Sequence, residues 1–189
     1  MSLSSIEEKP TNVKFESQDS DEKLYFLLRR HPITNVPWII LVIFFLLVPP
    51  IFLTYFSSSI DKINVYFPEK YQMMAIIFWY LGTLLLAFES FLMWYFNVYI
   101  ITNKRVIDVD FYGLWRKRIS ETFLDRVEDA TYETTNFIHV LFDFGNIAIQ
   151  TAAEEREFDF HNIPKPSLVH DKLTDLVEQY KHSKNGARK

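Results

Sequence analysis

Two apolar runs limit what this 189-residue chain can become. Residues 38–56, WIILVIFFLLVPPIFLTYF, carry no charge over 19 positions, close to the roughly 20 that a helix needs to span about 30 Å of hydrocarbon. Pro49 and Pro50 sit past the middle, where each deletes a backbone donor and crowds the preceding turn, so a kink is predicted there. Residues 73–96, MMAIIFWYLGTLLLAFESFLMWYF, are interrupted only by Glu89. Their eleven Ile, Leu and Phe residues sum to roughly −3 to −7 kcal/mol of insertion free energy, against about +3 for one central carboxylate. Aromatic residues mark the ends of both runs (Trp38, Tyr55 and Phe56; Tyr71, Trp94 and Tyr95), as headgroup depth favours. The pattern predicts a transmembrane helical hairpin.

Basic residues near the runs set the expected orientation. Lys23, Arg29 and Arg30 precede the first run and Lys104, Arg105 and Arg116 follow the second, whereas the linking residues 57–72 hold only Lys62 and Lys70. The positive-inside bias then places both termini in the cytoplasm and residues 57–72 outside, in a multi-pass protein of the cytoplasmic (inner) cell membrane. Residues 1–21 are polar, acidic and without periodicity, and read as a disordered tail rather than a secretory signal. Residues 22–37 mix Lys23, Arg29 and Arg30 with Leu24, Tyr25, Phe26, Leu27 and Leu28, and read as a juxtamembrane segment lying on the membrane face. Residues 183–189 read as a second disordered tail.

Residues 97–182 are long enough for one small domain. NVYIIT, the polar turn NK and the alternating RVIDVDFYG form a predicted hairpin, with Ile107, Val109 and Phe111 on one face and Asp108 and Asp110 on the other. Gly113 breaks the chain before WRKRISETF, and VEDATYETT is a weaker strand. NFIHVLFDFG holds a short apolar turn, then NIAIQT and REFDFHNI alternate, with Phe158 and Phe160 pointing one way. From Pro166 and Ser167 onward, Val169, Leu173, Leu176, Val177 and Tyr180 fall on one face of a helix. Six or so antiparallel strands followed by an amphipathic helix predict a bent sheet plugged by that helix.

Several function classes find no material. With no cysteine there is no disulfide, thiolate metal site or cysteine nucleophile. His31, His139, His161, His170 and His182 show no i, i+4 pair, and four glycines leave little for a phosphate loop, so neither metal nor cofactor is expected. A net charge of −4 gives no reason to seek nucleic acid.

YIITNKRVI (99–107), Gly113, FLDRVEDA (123–130), FDFGNIAIQT (142–151), FHNIPKP (160–166) and the upstream RRHP (29–32) together resemble the membrane-anchored bacterial pleckstrin-homology-like (PH-like) family, a domain of unknown function. The order and spacing carry the resemblance; the turn TAAEE departs from it, where a glycine would be usual. The resemblance implies an N-terminal transmembrane α-helical hairpin followed by a mostly-β PH-like barrel of about seven antiparallel strands, capped by a C-terminal α-helix. It also implies a cytoplasmic setting and no catalytic activity. Eukaryotic PH domains often take phosphoinositides through basic residues of the first hairpin, which would map to Lys104 and Arg105 and to Arg116, Lys117 and Arg118. Fold likeness does not carry the ligand with it.

Those five cations are the candidate lipid- or partner-binding residues. For Lys104 and Arg105 plain surface anchoring competes with a lipid pocket, and for Arg116–Arg118 a cross-strand charge ladder with Asp108 and Asp110 competes with phosphate binding. Glu89 is the candidate intramembrane contact, through helix packing or a homo-oligomer, or by snorkelling to the interface. Two functions are therefore expected to compete: an adaptor that binds a membrane or cytoplasmic protein, and a reader of anionic membrane lipids.

Overall fold

The computed structural model describes residues 5–10, 18–19, 21–55, 68–113, 116–152 and 158–186. It divides into two compact units, one of residues 35–92 and one that draws on both sides of it, residues 1–34 and 93–189. Most of the expected turn TAAEE, most of the loop 57–72 and most of the tail 1–21 lie outside the described residues.

The first unit holds α1 (Val36–Tyr55) and most of α2 (Glu69–Phe96), two helices long and apolar enough to cross a membrane. Pro49 and Pro50 are accommodated inside α1. Their missing N–H groups would have bonded the carbonyls of Phe45 and Leu46, four residues earlier. Those are the two carbonyls that α2 supplies with donors: Trp79 Nε1–H reaches Phe45 O at 2.9 Å and the Tyr80 hydroxyl reaches Leu46 O at 3.4 Å. Phe45 and Trp79 also pack edge to face, 5.7 Å between centroids. Such re-satisfaction by a neighbouring helix is what makes proline tolerable where water is absent.

The second unit is antiparallel β capped by a helix. Five strands form one sheet in sequence order: β1 (Ile6–Glu8), β2 (Leu24–Arg29), β3 (Val98–Thr102), β4 (Arg105–Tyr112) and β5 (Arg116–Phe123). Three more form the other: β6 (Val127–Glu133), β7 (Phe144–Thr151) and β8 (Phe158–Pro164). A one-turn helix, α3 (Phe137–Leu141), joins β6 to β7, and α4 (Pro166–Gly186) follows β8. The core between the layers contains Phe26, Leu28, Tyr99, Ile101, Val106, Ile147, Ile149, Phe158 and Phe160, closed by Val169, Leu173, Leu176 and Val177 of α4. Tyr99 stacks on Phe160 with centroids 4.3 Å apart.

This topology corrects the expected domain organisation. The segment 22–37 is no surface-lying juxtamembrane stretch, because LYFLLR is β2, an inner strand paired to β3 through Leu27↔Ile100 and Leu28↔Tyr99. It is buried on both faces: Phe26 and Leu28 enter the main core, while Leu24 and Leu27 join Val98, Ile100 and Ile107 in a second cluster on the other side. A strand covered on both faces loses the alternation that would identify it. The barrel therefore begins before the two long helices and resumes at Val98, so VYIIT is its second long strand. Ile6–Glu8, inside the expected disordered tail, adds an edge strand to β2. α4 runs to Gly186, through part of the expected tail 183–189.

The RRHP sequence links the two sheets to the start of the second long strand. Buried Arg29 donates from Nε to Tyr95 O at 3.1 Å and lies 4.9 Å from the Tyr95 ring centroid. Arg30 O accepts the Trp94 indole N–H, and His31 N–H donates to Asn162 O. Asn162 takes a left-handed backbone (φ 53°) at an irregularity between β7 and β8, a conformation asparagine tolerates better than most residues. Gly145 lies at the same irregularity, where a Cβ would come within 2.5 Å of Glu133 O.

Candidate functional site

The barrel has two chemically different ends. At the near end β2 finishes at Arg29 and the chain re-enters through Tyr95 and Asn97. At the far end β3 turns into β4 through Asn103 and Lys104.

The far end holds Lys104 and Arg105, and both are engaged. Arg105 is buried and makes a two-pronged pair with Glu22, Nε to Oε1 and Nη2 to Oε2 each at 3.0 Å; Nη1 reaches Glu121 Oε2 at 2.8 Å. The Thr102 hydroxyl adds a 2.8 Å bond to Glu22 Oε1. Burial pushes the Glu22 carboxyl up, but the Arg105, Thr102 and Asp19 N–H bonds outweigh it and hold its pKa below the usual glutamate value. Lys104 Nζ lies 2.9 Å from Asp19 Oδ2 and 2.7 Å from Asp21 Oδ1, which raises the lysine and lowers Asp21. Two cations thus meet four carboxylates, so a phosphate arriving here would be repelled. The pairing was invisible in the sequence because Glu22 and Arg105 stand 83 positions apart.

The near end carries the second basic group. β4 and β5 continue beyond the Val98↔Val109 pair through Asp110↔Arg118, Phe111↔Lys117 and Tyr112↔Arg116. Asn97 fixes this extension, its Oδ1 accepting the Phe111 N–H, and Phe96 packs on Phe111 with centroids 5.5 Å apart. Gly113, at φ 68°, supplies the left-handed turn residue that follows β4. Arg116, Lys117 and Arg118 are all exposed, and none makes an ion pair among the described residues; Lys117 lies over the Phe111 ring at 5.8 Å. The expected charge ladder is present only as the register neighbours Asp110 and Arg118. Arg116 faces Tyr112, and the cation within ion-pair distance of Asp110 is Arg30, Nη2 to Oδ1 at 3.9 Å.

Behind this rim lies an acid pair that sequence reasoning assigned to the ladder alone. Burial and the neighbouring Asp110 carboxylate push Asp108 up to about 7, only partly offset by Arg30 and Arg118. Asp108 Oδ1 and Arg30 Nε are both buried without a hydrogen-bond partner. Glu89 belongs to the other unit, half-buried on α2 with no ion pair among the described residues. No group of three His, Cys, Asp or Glu among the described residues could hold a metal ion.

The sequence profile of the bacterial PH domain family matches residues 32–177, a span that includes both long helices and seven-tenths or more of the chain, but begins after β2. Two solved structures are similar to part of it. A DUF1696-family protein with a pleckstrin-homology domain from Shewanella loihica PV-4 is 13% identical over 44% of this chain and 69% of that one, with a TM-score of 0.34. A pleckstrin-homology domain from Shewanella amazonensis SB2B is 14% identical over 44% of this chain and 65% of that one, just under two thirds, with a TM-score of 0.33. No curated protein matches the sequence.

Proposed function

Since the chain belongs to the bacterial PH domain family, we propose that it is a non-catalytic membrane protein whose PH-like barrel is an adaptor, binding an acidic, extended segment of another protein along β5. One observation carries this reading. Among the described residues β5 is an eight-residue strand hydrogen-bonded to β4 on one side only, and it presents Arg116, Lys117, Arg118 and Ile119 to solvent. An open edge of that length offers main-chain donors and acceptors to an added strand, and three cations select an acidic one.

A cytoplasmic, multi-pass setting is part of the proposal. One barrel built from residues on both sides of α1 and α2 requires those residues to share a compartment, which supports an even number of crossings. The charge bias of the flanks supports the cytoplasmic side. Anchoring also raises the local concentration of the module toward other membrane proteins.

Anionic lipid headgroups are the second reading, favoured by the position of Arg116–Arg118 at the near end, beside Phe96. Photo-crosslinking from position 117 of the full-length protein in its native membrane separates the two. The adaptor reading predicts a discrete protein adduct that disappears in the Arg116→Ala, Arg118→Ala double variant carrying the same probe at 117. Adducts to phospholipid alone would refute it.

A further inference from the structure

The short helix α3 is inside out. Phe137, Ile138, Val140 and Leu141, together with Phe142 after it, are exposed by 78, 53, 66, 63 and 49%. The one polar residue of the turn, His139, faces inward, its ring 4.4 Å from that of Phe144 and its Nδ1 buried without a hydrogen-bond partner. Against water this arrangement is unfavourable twice over: a polar nitrogen is buried unpaired and a contiguous apolar patch is left wet. Against hydrocarbon the outward apolar face becomes favourable, and an inward imidazole costs less than one facing lipid. Residues 134–142, TTNFIHVLF, also lack any charge, which a segment entering a bilayer requires.

The position of α3 identifies what covers it. Phe144, on which His139 packs, is stacked at 5.0 Å on His31, two residues beyond the end of β2. α3 therefore lies at the near end of the barrel, where β2 ends at Arg29 and the chain re-enters at Phe96 and Asn97. If those helices cross a bilayer, five residues of chain or fewer separate His31 from the first span, so the near end lies within about 20 Å of the hydrocarbon edge. An apolar turn roughly 7 Å long suits the headgroup and upper acyl region, where interfacial segments bury about 5–10 Å deep.

We infer that the turn formed by α3 and Phe142 is an interfacial insert, seated in the same bilayer that α1 and α2 cross and fixing the tilt of the barrel against it. This rests on the membrane reading of those helices, and it differs from headgroup binding by Arg116–Arg118 in needing no anionic lipid.

The chain has no cysteine, so single-cysteine variants of the full-length protein label cleanly. Ile138→Cys and Leu141→Cys report on the insert, Leu85→Cys on α2 and Asp175→Cys on the exposed side of α4; all four positions are exposed, so folding is preserved. Each variant carries an environment-sensitive fluorophore in vesicles of phosphatidylcholine only. Spin-labelled lipid is expected to quench positions 138 and 141 at least about threefold more than 175, and aqueous iodide to do the reverse. Iodide access at 138 and 141 equal to that at 175 overturns the inference, as does shielding from both quenchers, which would mean a protein cover. Failure of lipid to quench position 85 overturns the membrane reading itself, and the insert with it.

Discussion

Replacing Glu22 with Gln should destabilise a domain whose other long strands all lie more than 70 residues away in sequence. The carboxylate is fully buried, while Arg105 opposite it is 11% exposed and keeps Glu121 as a second partner. Breaking a buried ion pair typically costs about 3–5 kcal/mol, and the remaining Glu121 contact reduces that to about 2–3 kcal/mol here. With a urea m-value of about 1.5–2 kcal/mol/M, the unfolding midpoint should fall by about 1–2 M. Pulse proteolysis of the full-length protein in nanodiscs reads this, because cleavage of the unfolded barrel is separable from the helices. The pH dependence is a second signature. The folded carboxyl ionises below its usual value near 4.5. Its stabilisation is therefore complete above that value and is lost as pH falls through the folded pKa. Wild type and variant should draw together as pH is lowered below that value. A midpoint unchanged at pH 7, or a difference that does not shrink as pH falls, would refute the role given to the Glu22–Arg105 pair.

Two further perturbations probe other parts of the chain. Asp108 has the opposite sign: with a folded pKa of about 7 its ionisation opposes folding, with no penalty below pH 4 and the full penalty above 7. The full shift corresponds to about 4 kcal/mol, which partial exposure to solvent reduces to about 1–2 kcal/mol, so Asp108→Asn should stabilise by that amount at pH 8 and by nothing at pH 4 in urea melts. Trp79→Phe keeps the ring but leaves Phe45 O without its donor, and should weaken the α1–α2 pair by about 0.5–1.5 kcal/mol, read as a lower midpoint in sodium dodecyl sulfate titrations in mixed micelles.

Much of this architecture was legible in the sequence for definite reasons. The long apolar runs, the β3–β4 hairpin and the α4 face of Val169, Leu173, Leu176 and Val177 each have one periodicity and one buried side. β2 was misread because LYFLLR packs on both faces and is flanked by cations, the same signature as an amphipathic stretch at a membrane. Lys104 and Arg105 looked available because Asp19, Asp21 and Glu22 approach them only through the β2–β3 register, across an insertion of two long helices. Arg116–Arg118 looked paired because Asp108 and Asp110 are near in sequence, yet the cation within ion-pair distance of Asp110 is Arg30. The NFIHVLF segment reads only as a short apolar turn; the inward His139 and the exposed Phe137, Ile138, Val140 and Leu141 reveal its inverted orientation.

The central claim is that one barrel is assembled from both sides of the helical pair. Amide NMR dispersion tests it on two chains: residues 97–189 alone, and residues 18–34 joined by a short Gly/Ser linker to residues 93–189, ends held together by the Arg30–Trp94 bond. The account predicts a dispersed β spectrum for the joined chain and a collapsed one for residues 97–189. A dispersed spectrum from residues 97–189 alone, matching that of the joined chain, would contradict it.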